Sequence, residues 1–295
     1  MTRRGDDAYR LETAAIRQAF NRASSTYDGS AVLQGEVRQK LLDRLDLVKL
    51  EPAVILDAGC GTGQAGPPLL KRYRKAHLVA MDLSEDMVLR ARNRRLWLRR
   101  PAVVCSDVLR LPFSDASVDL VFSNLMLQWC SDLDAVFREV SRVLKPEGLF
   151  SFSTFGPDTL SELRQAWNAA DDHVHVNRFL DMHDIGDALV RSGLAEPVLD
   201  VDYFCMTYDS VTALMRDLKA IGARNASAGR NHGLTGRQRL AAVELAYEAY
   251  RRDGRLPSTW EVVYGHAWAS PTQHHGQSAA SETRIPIDDI GVRDG

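Results

Sequence analysis

The chain alternates between short, wholly apolar runs and longer stretches whose apolar residues recur every three or four positions. The runs are AVILD (53–57), HLVAMD (77–82), AVVCSD (102–107), VDLVFSN (118–124) and GLFSFSTF (148–155). Runs this short and this apolar indicate strands buried on both faces, and helices between them indicate a parallel sheet. The spacing predicts those helices near 64–74, 84–96, 132–144 and 158–170, with LKPEG (144–148) stopping a helix and turning into a strand. Before the first strand, IRQAFNRASSTY and VLQGEVRQKLLDRL carry helical periodicity within residues 10–48.

After residue 180 the pattern changes. MHDIGDALVRSGL reads as a helix, PVLDVDYFCMTY (197–208) as a strand and TWEVVYGHAWA (259–269) as the last strand. Roughly fifty residues separate those two strands, far more than a hairpin needs, and they carry helical stretches near 210–221 and 235–251. The expected fold is α/β: a Rossmann-like sheet of seven strands, N-terminal helices, and a helical lid inserted between the last two strands. The expected divisions are a cap at 1–50, an α/β core at 51–207, a lid at 208–256, the last strand at 257–270 and a disordered tail at 271–295. The tail has no periodicity, so its His274–His275 pair reads as unstructured chain rather than a metal site.

Composition narrows the function classes. The 295 residues carry a net charge of -2, so only local patches could recruit a polyanion. Cys60, Cys105, Cys130 and Cys205 form no CxxC pair, which favours reduced thiols over disulfides or structural zinc. No apolar run is long enough to span a membrane. MTRRGDDAYRLE lacks the apolar segment of a signal peptide, so a cytoplasmic enzyme is expected.

ILDAGCGTG (55–63) is the most informative stretch: a strand, Asp57, then Gly59, Gly61 and Gly63 before a helix. Glycines let the backbone turn sharply and approach a ligand closely. Gly61, Gly63 and Gly66 also satisfy the dinucleotide fingerprint, with Asp82 at a suitable distance. Asp57 argues against a pyrophosphate there, and Pro67 and Pro68 crowd the helix start.

The ordered set resembles the class I S-adenosylmethionine (SAM) methyltransferases: DxGxGxG after the first strand, an acid ending the second (Asp82), another after the third (Asp107), and VDLVFSNLMLQW as the fourth strand and its loop. The resemblance implies a glycine turn whose backbone donors meet the methionine carboxylate. It implies Asp82, beside Leu83, on the ribose, and Asp107 with Val108 at the adenine. Asp57 would lie near the ligand, and Asn124 would end the fourth strand beside it. Taken singly, each acid reads equally as a helix cap or turn residue.

Outside that core, AFNRASSTYD (19–28), SNLMLQWC (123–130), FGPDTLSELRQAW with NRF (155–167, 177–179) and LKAIGARNASAGR (218–230) resemble the malonyl-acyl carrier protein (ACP) O-methyltransferases of biotin synthesis. That resemblance implies methyl transfer to the free carboxylate of a malonyl thioester. A carboxylate is already ionised at neutral pH and needs no general base; it needs an arginine to orient it. Arg22, Arg178, Arg224 and Arg230 are the candidates, with Arg178 and Arg224 favoured and not separated. Tyr27 is a candidate to close over the methyl region, and Gln128 and Trp129 to line the pocket. Residues 208–256 hold nine Lys/Arg, Lys219 among them, against five acids, a net +4 that suits an acidic carrier protein. The six arginines of RARNRRLWLRR (90–100) read as a solvated helix face, with no nucleic-acid motif beside them. Open alternatives are another acceptor, such as a small acid or a quinone, and an assembly factor modifying a protein arginine.

Overall fold

The structure, a computed structural model, describes residues 11–171, 173–223, 225–227, 229 and 236–270. The expected tail and its histidine pair lie outside the described residues. The strands are β1 Val54–Ala58, β2 His77–Asp82, β3 Ala102–Cys105, β4 Val118–Asn124, β5 Leu144–Phe155, β6 Leu194–Tyr208 and β7 Leu256–Ala269. Among the described residues they form one seven-stranded sheet in the order β3-β2-β1-β4-β5-β7-β6. The pairings from β3 through to β5 are parallel, and β7 runs antiparallel to both β5 and β6.

Helices α1 Thr13–Ala23, α2 Tyr27–Ser30 and α3 Val32–Arg44 precede the sheet. Within it lie α4 Gly66–Arg72, α5 Glu85–Ala91, α6 Leu133–Val143, α7 Ser161–Asn168 and α8 Met182–Arg191. Helices α9 Val211–Ala220 and α10 Arg237–Glu248 stand between β6 and β7, where the long separation predicts them. Both faces of the sheet are covered, which is why its strands read as continuous apolar runs. Neighbours Ile55 and Leu56 are each fully buried, in opposite cores. Helix α6 shows how a helix joins one of them: Asp132 caps it by accepting from the Ala135 N–H at 2.8 Å, and Phe137 meets Phe150 and Phe152 at ring distances of 5.8 and 6.0 Å.

LKPEG differs from expectation. Strand β5 begins at Leu144 and interrupts its pairing, because Leu144 faces Val118 but the register resumes at Leu149 facing Leu120. Pro146 lacks an N–H for the ladder and Glu147 takes φ +61°, so the segment bulges within the strand. The neighbour order reverses between β1 and β4, and a crevice opens at the C-terminal ends of strands at such a point.

Close packing on β7 gives a test. A Cβ at Gly265 would stand 2.3 Å from the Phe152 ring and 2.6 Å from Leu199. Gly265→Ala is expected to cost about 1–3 kcal/mol of stability, measured as a lower denaturant midpoint.

Candidate active site

Strand β1 runs into a turn in which Gly59, Gly61 and Gly63 take φ of +75°, +53° and +79°. Gly59 and Cys60 donate to the Met81 carbonyl at 2.8 and 2.9 Å, and Gly61 donates to Asp82 Oδ2 at 2.8 Å. Gly63 donates to the Cys60 carbonyl at 2.9 Å. The glycine N–H groups expected to meet a ligand carboxylate are therefore already engaged, because the turn is bonded across to the end of β2. The glycines supply room instead. A Cβ at Gly59 would stand 2.3 Å from Met126 Cγ, and one at Gly63 would stand 2.8 Å from Ala91 Cα.

Beside the turn is a cavity of about 290 Å³. Gly59, Gly61, Asp82, Leu83, Asp107, Val108, Asn124, Tyr27 and Trp129 all line it. Gly63 serves the packing of α5 rather than the cavity wall. Each acid there also satisfies backbone: Asp82 Oδ1 accepts from the Ser84 N–H at 2.8 Å and Asp107 Oδ1 from the Leu109 N–H at 3.0 Å. The turn reading and the binding reading thus hold together, since a carboxylate has acceptor sites to spare.

Asp57 stands behind this wall, 1% exposed, with Oδ2 lacking a hydrogen-bond partner among the described residues. Burial, with the Asp82 charge adding to it, pushes its carboxyl up to about 7, and Arg38 opposes the shift. Burial also raises Asp82, against the pull of its backbone N–H donors. Arg38 escaped the sequence reading. It lies on α3 one turn beyond Gln34, whose carbonyl accepts from Asn124 Nδ2 at 3.2 Å. Its guanidinium is lowered by burial and answers to the charges of Tyr27 and Asp57; a cation on the inward face of an amphipathic helix was the only available signal.

The N-terminal helices close the cavity. Thr13, Ile16 and Phe20 of α1 line it. Ser84 Oγ donates to Asn21 Oδ1 at 2.5 Å, and Asp28 accepts from Thr62 Oγ1 and from Arg94. Arg94 and Arg99 belong to the arginine-rich stretch, and Arg99 donates to the Leu70 and Ala76 carbonyls at 2.7 and 2.5 Å. These two cations hold the fold together rather than facing solvent freely. Burial, then the nearby Asp82 charge, raises the Tyr27 phenol.

Past Trp129 lies a smaller chamber of about 60 Å³, lined by Gln128, Trp129, Phe179, Ala223, Asn225 and Trp260 among others. Arg178 is exposed and lines a third cavity, of about 580 Å³, beyond it. The structure brings the two favoured segments together: Asn225 Nδ2 donates to the Val174 carbonyl, and Ser227 Oγ donates to Asn177 Oδ1 at 3.1 Å. Arg224 and Arg230 lie outside the described residues. Arg22 and Lys219 are exposed, and neither lines the 290 Å³ cavity.

Residues 56–152 match the family model described as a methyltransferase domain. A malonyl-[acyl-carrier protein] O-methyltransferase of Methylovorus sp. is 56% identical over 268 residues, covering 89% of this chain and 90% of the relative. One from Gallionella capsiferriformans is 50% identical, covering 94% of this chain and 98% of the relative. Among solved structures, the YcgJ protein of Bacillus subtilis superposes with a TM-score of 0.56 at 16% identity, over 80% of this chain and 99% of that one. A putative methyltransferase from Bacillus halodurans gives 0.56 at 17%, over 78% and 97%. These last two bear on the fold.

The buried Asp57 gives the site a pH signature. A cationic ligand favours the ionised carboxylate, so SAM affinity is expected to rise as pH rises through about 7. Asp57→Asn should flatten that dependence in calorimetric titrations. The sign for stability is opposite: a carboxyl whose folded pKa is raised loses stability as pH rises from its unfolded value to about 7. Asp57→Asn should therefore raise the melting temperature of the ligand-free protein at pH 8. Separately, Gly59→Ala is expected to weaken SAM binding more than about tenfold, through the left-handed φ and the Met126 clash.

Proposed function

Because the chain belongs to the malonyl-[acyl-carrier protein] O-methyltransferases, we propose the roles its own residues take in that reaction. It is a SAM-dependent methyltransferase that esterifies the free carboxylate of a malonyl thioester on ACP, a step of biotin synthesis. When bound, SAM supplies a sulfonium methyl group, the electrophile that the carboxylate oxygen takes as the carbon–sulfur bond breaks. The cavity fits such a cation: acids Asp82 and Asp107 line it, and the unpartnered Asp57 oxygen lies behind it.

The observation that carries the residue assignments is the cavity's position at the ends of β1, β2 and β4, roofed by α1. Asp82 is assigned to the ribose and Asp107 with Val108 to the adenine. Their carboxylate oxygens are held in place by the Gly61, Ser84 and Leu109 N–H groups. Gly59 and Gly61 leave space for the methionine part. Tyr27 and Trp129 bound the end where the acceptor must arrive, with Phe20 set edge-on to Trp129 at 5.2 Å. Exclusion of water and alignment of the oxygen, rather than proton transfer, are then the protein's contribution.

Arg178 and Arg224 remain the proposed holders of the malonyl carboxylate. Ala223 and Asn225, on either side of Arg224, line the chamber beside Trp129, and so do Asn177 and Phe179 on either side of Arg178. The α9–α10 insert is proposed as the lid that meets ACP. Arg251 pairs with Glu248 and Arg255 with Asp209, while Arg216, Lys219 and Arg237 are exposed. A cytoplasmic setting belongs to the same proposal; no helix among the described residues is long and apolar enough to cross a membrane.

The first assay is methyl transfer from labelled SAM to malonyl-ACP, with acetyl-ACP beside it. Base-labile label on the malonyl form alone is expected, and label on neither would overturn the acceptor. Alanine replacement of the true carboxylate holder is expected to lower kcat/KM by about 2–3 kcal/mol, or some hundredfold, at unchanged SAM affinity. Arg178→Ala and Arg224→Ala both behaving as wild type would exclude the pair.

A further inference from the structure

Three cavities stand in series from the methyl-donor site outward. Trp129 lines both the 290 Å³ cavity and the 60 Å³ chamber. His175, Val176, Asn177 and Phe179 line both that chamber and the 580 Å³ cavity beyond it. The other wall of the first cavity is closed by α1, whose approach is fixed where the Glu12 N–H donates to the Ala226 carbonyl at 3.0 Å. An acceptor therefore has its approach from the Trp129 side.

The walls change in character along this line. The chamber is mainly apolar, with Phe155, Leu163, Phe179 and Trp260 around Asn177 and Asn225. Its outer neighbour is polar and charged, with Arg164, Asp171, His173 and Arg178 on its walls. Trp260 is 3% exposed, and its indole N–H has no hydrogen-bond partner among the described residues. A buried donor left unmade is costly, and a ligand carbonyl that reached it would recover that cost. The shared wall is held by the Asn225–Val174 and Ser227–Asn177 hydrogen bonds.

We propose that these three cavities are the conduit for the pantetheine arm of the acyl carrier. The arm would enter at the cavity lined by His173 and Arg178, with one of its carbonyls accepting from Trp260 Nε1 in the chamber; on this path Arg178 meets the arm at the outer cavity and is not the holder of the malonyl carboxylate. The malonyl end would lie at Trp129. A pantetheine arm suits this sequence of walls, since it joins amide carbonyls through short apolar segments and is linked to its carrier protein through a phosphate. This inference rests on the acceptor reading above.

The test uses malonyl-ACP and malonyl-pantetheine, the arm without the protein, as substrate or as competitive inhibitor. Val176→Trp, which fills the chamber, is expected to weaken both by more than about tenfold. Trp260→Phe, which keeps the ring and removes the N–H, is expected to weaken both about threefold to tenfold. SAM affinity, measured by calorimetry, should match wild type in each variant, since neither residue lines the donor cavity. If Val176→Trp also loses SAM binding it is misfolded, and Trp260→Phe decides. Malonyl-pantetheine unaffected by the variants would overturn the conduit, as would a loss confined to malonyl-ACP, which would mark a docking surface. Wild-type protein transferring no methyl to malonyl-ACP would remove the acceptor reading, and this proposal with it.

Discussion

Asp57 and Asp82 stand at the ends of adjacent parallel strands, drawn out of water, and the charge on Asp82 raises the cost of ionising Asp57. Everything around them answers that cost. Gly61 and Ser84 donate to Asp82, Arg38 sets a positive charge against Asp57, and the turn is bonded to Met81 so that the strand ends cannot part. One oxygen of Asp57 still has no partner among the described residues. A partly buried site with surplus negative charge favours a cation, and the favour is larger than it would be at an exposed surface. The same charge would disfavour a pyrophosphate, so a fingerprint-like run of glycines here serves a different ligand.

The roof of this site is built from parts far apart in the chain. The cap meets the insert where Thr26 Oγ1 donates to the Ala220 carbonyl at 2.8 Å and where Gly222, at φ +75°, lets Phe20 and Ala23 come close. The insert in turn meets the loop after α7 through Asn225 and Ser227. Cap, insert and loop are thus tied to one another by hydrogen bonds beside the cavity walls. Glu261 anchors the segment that leads into α7, accepting from the Asp158 N–H at 2.7 Å. The basic character of the insert acts on another scale. Exposed cations steer an acidic partner over about a Debye length, roughly 8 Å at physiological salt, and contribute little to holding the helices in place.

Much of this was legible from order along the chain. The apolar runs located the first five strands, and the long gap before TWEVVYGHAWA placed two helices between β6 and β7. Gly59, Gly61, Asp82 and Asp107 line the cavity beside the turn, while Gly63 packs against α5. LKPEG follows the end of α6 at Val143 as expected, but it enters the strand through a bulge instead of a free turn, since a proline without its N–H and a residue able to take positive φ serve both. Arg38 was missed because a cation on an amphipathic helix usually faces water. Arg94 and Arg99 were assigned to a solvated face for the same reason.

The sequence by itself determined which segments are strands and helices, and which ligand chemistry the glycine turn and its acids suit. Those properties reside in neighbours two to four positions apart and in short motifs. Only the tertiary structure decided that the glycine N–H groups are already used, that Asp57 lies behind the wall, and that Asn177 and Ser227, fifty residues apart, meet. Such facts depend on which distant groups satisfy one another once water is excluded, and periodicity carries no record of that.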